Sequence, residues 1–437
     1  MEMEDNTQHA QRQSRDHISI EVSANESLAS SIRGKMEQKS PSLCIYRVPE
    51  KFQGVSKKSY IPDIVSIGPL HHGNSSLGPM EDHKWRYFHA LLGRNPVLEE
   101  SLDECVKAIR ELEQRARKCF SESDKITLNS DQFVEMLLVD GCFIIELFFK
   151  YILKGLRRKG DPVFNTKWML SGIRRDLMLL ENQIPLFVLQ RIFDLVPIPD
   201  QLHRQSLTYI AFRFFKAIIP GNKEALESKF VHEGGHLLDL LRQCYLPSFP
   251  RVMPLPNQRG IQETLNSATK LQKSGIKIKK SVQDSLLDLK FGRGELRIPP
   301  LKIYDYTESV LRNLVALEQC CHEHMKQISS YALLMDNLIR SNKDVRFLEQ
   351  RGIIVNHLGS DEEVISLFDN LCKEIEVEES YYVGLCQQLN GYCNTNWHGK
   401  LLKLRELHPH LLHLLGILLL LSFTGTLFSV LSFFLYH

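Results

Sequence analysis

The segment "HEGGH" brings together His232, Glu233 and His236, the residue types of a zinc hydrolase. On a helix, His232 and His236 stand one turn apart and could bind a metal, with Glu233 as the base that activates its water. Two adjacent glycines oppose this, because they cost a helix about 2 kcal/mol where metal geometry needs stiffness. No third ligand follows at a usual spacing, and apolar periodicity continues through "LLDLLRQCY". His236 therefore reads as the residue that opens a packed helix. In "EQCCHEH", Cys320 and His324 share a helical face while Cys321 and His322 point elsewhere, which favours buried thiols beside exposed imidazoles over a zinc shell. Cys386 and Cys393 lie one heptad apart and mark a packing stripe.

"FGRGEL" lacks the lysine and the following helix start of a phosphate loop, and no Gly-x-Ser-x-Gly elbow occurs. His71 and His72 end "YIPDIVSIGPLHHG", whose prolines and glycines impose an extended, turn-rich path. That segment is expected to wrap the helical body, its imidazoles satisfying backbone groups. The sum is no catalytic residue, no cofactor and no metal, hence a non-enzymatic protein. The alternative is a zinc-dependent hydrolase built on His232, Glu233 and His236.

The elements that must position these residues follow from composition and pattern. With 437 residues, 43% hydrophobic and 24% charged, the chain can bury a sizeable core. A net charge of +2 gives no global field for nucleic acid, and the basic clusters, such as Lys277, Lys279 and Lys280, do not interleave with aromatics. Nucleic acid is accordingly not an expected partner. Residues 1–39 are polar and read as a disordered tail, without a signal-peptide core. Residues 40–243 read as a helical N-terminal part, 244–260 as a proline-rich linker, and 261–405 as an α+β C-terminal part.

"MLLVDGCFIIELFFKYIL" (residues 136–153) is apolar, but Asp140, Glu146 and Lys150 make it a core helix rather than a membrane span. Residues 168–196 read as helical with a break at Pro185. Between residues 275 and 303 the pattern predicts two to four short strands with a turn near Gly292 and Gly294. Ser360 with Glu363 predicts a capping box. The fold class is thus mainly α with a small antiparallel β element.

The chain closes on "LLGILLLLSFTGTLFSVLSFFL" (residues 414–435), without a charge. As a helix it would reach roughly 33 Å, against a hydrocarbon core near 30 Å. Its nine Leu, four Phe, one Ile and one Val favour insertion by very roughly 4 to 9 kcal/mol. The expectation is one C-terminal transmembrane helix over 411–436 on a helical soluble body. Lys400, Lys403 and Arg405 before the span place the body in the cytosol, tethered to the plasma membrane or endoplasmic reticulum. The lipid bilayer and unidentified protein partners are the expected contacts. Ser422, Gly425, Ser429 and Ser432 form a small-residue stripe through which two such helices could pair into a homo-oligomer.

Eight stretches in order resemble the plant domain-of-unknown-function 247 family: "YRVPEKF", "SYIPDIVSIGPLHHG" with "MEDHKWRYF", "MLLVDGCFIIELF", "RRDLMLLENQIPLFVL", "LNSATKLQKSGIKIK", "LRNLVALEQC" and "DVRFLEQRGIIVNHLG". The resemblance implies a plant membrane protein with one C-terminal span and no assigned catalytic residue or cofactor. Some grass members are implicated in pollen self-recognition. It does not extend to a zinc motif at "HEGGH", and "LHPHLLHLL" lacks the tryptophan expected after its proline. The functional expectation is a membrane-anchored recognition or scaffolding protein that acts through protein contacts.

Overall fold

The computed structural model describes residues 44–95, 98–221, 226–227, 229, 234–248, 251–253, 265–281, 285–321, 325–395 and 411–436. The expected disordered tail, 1–39, lies outside them, as does most of the 244–260 linker. The longer helices run α1 Gly78–Leu92, α2 Leu98–Arg117, α3 Ser130–Ile152, α4 Lys167–Asp176, α5 Leu186–Leu195, α6 Leu207–Phe215 and α7 Leu237–Tyr245. They continue with α8 Thr307–Cys320, α9 Gln327–Leu338, α10 Asn342–Gln350, α11 Asp361–Cys372, α12 Val383–Thr395 and α13 Leu411–Tyr436.

Helix α3 is the hub. Asn129 and Gln132 close a capping box at its start, and its side chains are buried almost all round. A helix apolar on every face must be surrounded, and α1, α2, α5 and α6 pack against it. Three of its charged side chains are buried and paired. Asp140 takes the Lys84 ammonium at 2.5 Å, Glu146 the Arg94 guanidinium at 2.6 Å, and the Lys150 ammonium meets Asp161 at 2.9 Å. The predicted core helix is therefore found. A second helical layer, α8 to α11, shares the same hydrophobic cluster, which extends from Ile45 to Cys393. Ser360 and Glu363 form the predicted capping box before α11.

The helical stretch predicted over 168–196 is interrupted at Pro185 as expected, Pro185 being the N-cap of α5, but the non-helical stretch between α4 and α5 reaches back to residue 177. Buried polar side chains make the difference. Asp176 closes α4 and accepts the backbone N–H groups of Asp63, Ile64 and Val65. Asn182 accepts the Ile67 N–H through Oδ1 and donates through Nδ2 to the Val65 and Asp176 carbonyls. Gly68, with φ of +77°, donates to Asp140 at 2.8 Å. A Cβ there would meet the Gln183 carbonyl oxygen at 2.2 Å, so only glycine fits. The extended segment 60–73 does wrap the body, but carboxylates and an amide of the body clasp it, in place of the expected imidazoles.

The small β element is mixed, which corrects the antiparallel expectation. Strands β1 (Lys277–Lys280) and β3 (Glu295–Ile298) pair parallel, and β2 (Lys290–Gly292) pairs antiparallel to β3. The β2–β3 hairpin turns on Arg293 and Gly294, both at positive φ, close to the predicted turn. A second sheet pairs β4 (Leu301–Ile303) parallel to β5 (Ile354–Asn356). The two parallel pairings join segments distant in sequence, which alternation of residue type cannot reveal.

The expected transmembrane helix is not supported. Among the described residues no helix is long and apolar enough to cross a membrane. What the structure shows there is an exposed apolar helix, with Leu419 and Phe423 more than half accessible.

Two outcomes follow from the clasp. Asp140→Ala leaves the Lys84 ammonium with Glu81 alone and the Gly68 N–H unpaired, so urea denaturation of the full chain should show a loss of about 3–5 kcal/mol. A change below about 1 kcal/mol would remove Asp140 from the clasp. Burial, partly offset by the Val65, Ile64 and Asp63 amides, pushes the Asp176 carboxyl up to about 6. Between about pH 4 and 6 the folded state holds a proton there that the unfolded chain has released. Its stabilising effect is complete below about pH 4 and lost as pH rises through about 6, in total about 3 kcal/mol. Asp176→Asn should abolish this contribution to the pH dependence of stability; an unaltered slope would refute it.

Candidate functional site

Helix α8 provides the wall on which the site is built, and buried hydrogen bonds fix that helix. Asn313 Nδ2 donates to the Ser59 carbonyl at 2.8 Å while its Oδ1 accepts the Leu180 N–H at 2.9 Å. Ser309 Oγ donates to the same Ser59 carbonyl. The first turn of α8 is anchored by Thr307, whose hydroxyl accepts the Tyr304 N–H at 2.8 Å.

Opposite α8, the two sheets meet at Pro299 and Pro300. Neither proline has an N–H, so neither can extend the β3 ladder, and the chain passes directly to β4. Beyond β4 the Tyr304 ring lies between two others. It stacks on His357 at 4.4 Å and 3°, and on Tyr306 at 5.4 Å and 14°. Burial and then the neighbouring Tyr304 push the Tyr306 phenol up to about 12, against the pull of Arg174, so the ring stays neutral near neutral pH.

Between these elements and Ile218 to Gly221 lies a cavity of about 430 Å³. Ile219, Leu286, Leu301, Val310 and Leu311 give it apolar walls, with Tyr245 and Tyr306 beside them. Its polar side-chain groups are Lys280 at the end of β1, the adjacent Ser281, Lys302 on β4, Thr307, and the phenols of Tyr245, Tyr304 and Tyr306. Ser281 is 3% exposed, and its N–H donates to the Ile298 carbonyl at 2.9 Å. Its hydroxyl finds no partner among the described residues. An apolar cavity of this size with a few placed polar groups suits a small ligand.

The cavity was not among the sequence candidates. "GIKIKK" and "LKIYDY" announce the strands, but nothing local says that Lys280 and Lys302 line one space. The Pro299–Pro300 break between them was the available signal.

The candidates that sequence did raise lie elsewhere. His236 is the buried N-cap of α7: Nδ1 accepts the Asp239 N–H, and Nε2 faces the Cys44 carbonyl at 2.9 Å. Both ring nitrogens are thereby engaged. His232 and Glu233 lie outside the described residues, and among those described no group of three or more His, Cys, Asp or Glu could hold a metal ion. Cys320 is half-buried and Cys321 buried, whereas His322 and His324 fall outside the described residues. Cys386 and Cys393 are buried on α12, as a packing stripe requires.

His71 approaches Glu181 at 3.6 Å, yet burial and then the Arg47 guanidinium push its pKa down to about 4. Near neutral pH this contact is therefore not an ion pair. Along α13, the Ser422 and Ser429 hydroxyls donate to the Leu419 and Gly425 carbonyls of their own helix. Gly425 makes no close contact, and Ser432 lies within the same helix.

The fold and site together define a large helical domain with two small sheets and an apolar cavity between its halves of sequence. Residues 45–421 match the model of the DUF247 family, described as plant proteins of unknown function, and the chain belongs to that family. It is 33% identical over 394 residues to UPF0481 protein At3g47200 of Arabidopsis thaliana, covering 84% of this chain and 80% of that protein. It is also 23% identical over 486 aligned positions to putative UPF0481 protein At3g02645 of the same plant, covering 89% and 90% respectively. No solved structure matches.

The capping role of His236 is open to direct measurement. His236→Ala deletes the acceptor for the Asp239 N–H and the contact to Cys44, so the full chain should lose about 1–3 kcal/mol in urea denaturation. His236→Asn, which keeps a capping acceptor, should recover part of this. An alanine variant as stable as the parent would show that the imidazole has another purpose.

Proposed function

We propose that this protein is a non-enzymatic recognition protein whose helical body binds a small, largely apolar molecule. The single observation that carries this reading is the cavity beside α8, apolar over most of its wall and holding a buried serine hydroxyl without a partner among the described residues. A buried hydroxyl that is left unpaired costs about 1–3 kcal/mol, an expense that a bound acceptor removes. Anchoring of α8 through Asn313 and Ser309 gives the wall a fixed shape, which limits the ordering cost of binding. The protein contacts expected from sequence then have a physical role: partners read the loaded body.

The test uses the purified full chain and the neutral apolar fluorophore phenylnaphthylamine. One equivalent should bind with enhanced emission. Ile218→Trp, which places a large ring at the half-buried mouth of the cavity, should weaken binding at least tenfold while the denaturation midpoint holds. Undiminished binding by a folded Ile218→Trp variant would place the fluorophore elsewhere and end the reading.

A further inference from the structure

We infer that the occupant of this cavity is an amphipathic organic anion: an aromatic or branched hydrocarbon body bearing one terminal carboxylate. The inference rests on the ligand-binding reading above and adds the chemistry that selects the ligand.

Two ammonium groups border the cavity. Lys280 ends β1, with Ser281 next to it, and Lys302 stands on β4, so both belong to strands beside the same space. Among the described residues, no acidic residue lines the cavity. Among the described residues, neither Lys280 nor Lys302 has a carboxylate within ion-pairing distance, whereas the neighbouring Lys279 is held by Glu295 at 2.7 Å. Lys277 and Arg351 add positive charge on the outer side of β1, and Arg351 donates to the Ile278 carbonyl. The nearest exposed acid in sequence, Asp305, is outnumbered. An anion entering here meets a positive field with no carboxylate among the described residues of the wall.

Ser281 supplies the second, independent pointer. It is 97% buried on its 3% exposure, it lines the cavity, and its Oγ has no partner among the described residues. A hydroxyl in that position donates to a carboxylate oxygen, the stronger kind of hydrogen bond because the acceptor is charged. Much of the remaining lining is hydrocarbon, from Ile219, Leu286, Val310 and Leu311, and its other side-chain donors are the neutral hydroxyls of Thr307 and the three tyrosines. One end of the ligand is therefore anionic and the rest apolar. A nucleotide is disfavoured: its several phosphate charges call for a nest of backbone amides or arginines, and the described lining has no arginine. A cationic ligand would face two ammonium groups.

The experiment compares cinnamate with its uncharged amide, cinnamamide, by titration calorimetry on the full chain at low ionic strength. Cinnamate should bind at least tenfold more tightly than cinnamamide. The Lys280→Gln, Lys302→Gln double variant, whose changes are both at exposed positions, should reduce that preference to about onefold without shifting the denaturation midpoint. Ser281→Ala should weaken cinnamate several-fold and leave stability equal or higher, because it removes an unpaired buried hydroxyl; a merely structural serine would give the opposite pair of results. Equal affinity for acid and amide in the parent protein overturns the anion assignment and leaves the apolar cavity reading intact. An acid preference that survives in the double variant overturns the role of the two lysines. Binding of neither compound, together with failure of the fluorophore, overturns both.

Discussion

One set of buried side chains holds this molecule together: the polar residues that end α4 and fill the non-helical stretch after it. Backbone N–H groups of an extended segment normally find partners in a neighbouring strand. Here Asp176, Asn182 and Asp140 supply them, so the middle of the segment, residues 65–68, is buried with no sheet around it. A backbone group buried without a partner costs as much as a lost hydrogen bond, so this clasp is a condition for burying the segment at all. The same network reaches further. Asn313 joins the Ser59 carbonyl to the Leu180 N–H and so ties α8 to both the wrapping segment and the stretch that clasps it.

The cavity depends on that arrangement. Its wall is the first turns of α8, whose position is set by Asn313 and Ser309 on the buried side. Its other boundary comes from two prolines that stop one sheet and start the next. Two local rules, a proline that cannot extend a ladder and a buried amide that must be satisfied, leave a space between rigid elements. The space is apolar because its walls are core residues, and it is positively charged at one side because β1 and β4 end or pass there with lysines.

Hydropathy and three-dimensional description part company at the C-terminus. Residues 414–435 are apolar enough that transfer free energy alone suggests a membrane span. The structure gives an exposed apolar helix there, and among the described residues no helix is long and apolar enough to cross a membrane. For residues 136–153 the sequence reading succeeded, because three charges inside an apolar run are so costly in lipid that a protein core with ion pairs is the only economical place for them.

What the sequence determined by itself is whatever depends on neighbours a few residues apart. The core helix α3, the capping box at Ser360, the turn at Arg293 and Gly294, the buried stripe of Cys386 and Cys393, and His236 as a helix opener were all legible, since capping, turn chemistry and helical period act over one or two turns. The family was legible too, through motifs in order. The parallel pairing of β4 with β5, the break of the long helix after Asp176, and the meeting of Lys280, Ser281 and Lys302 around one cavity were decided only by tertiary structure. Each of these brings together residues far apart along the chain, through contacts that have no local period and leave no mark on the residues that make them.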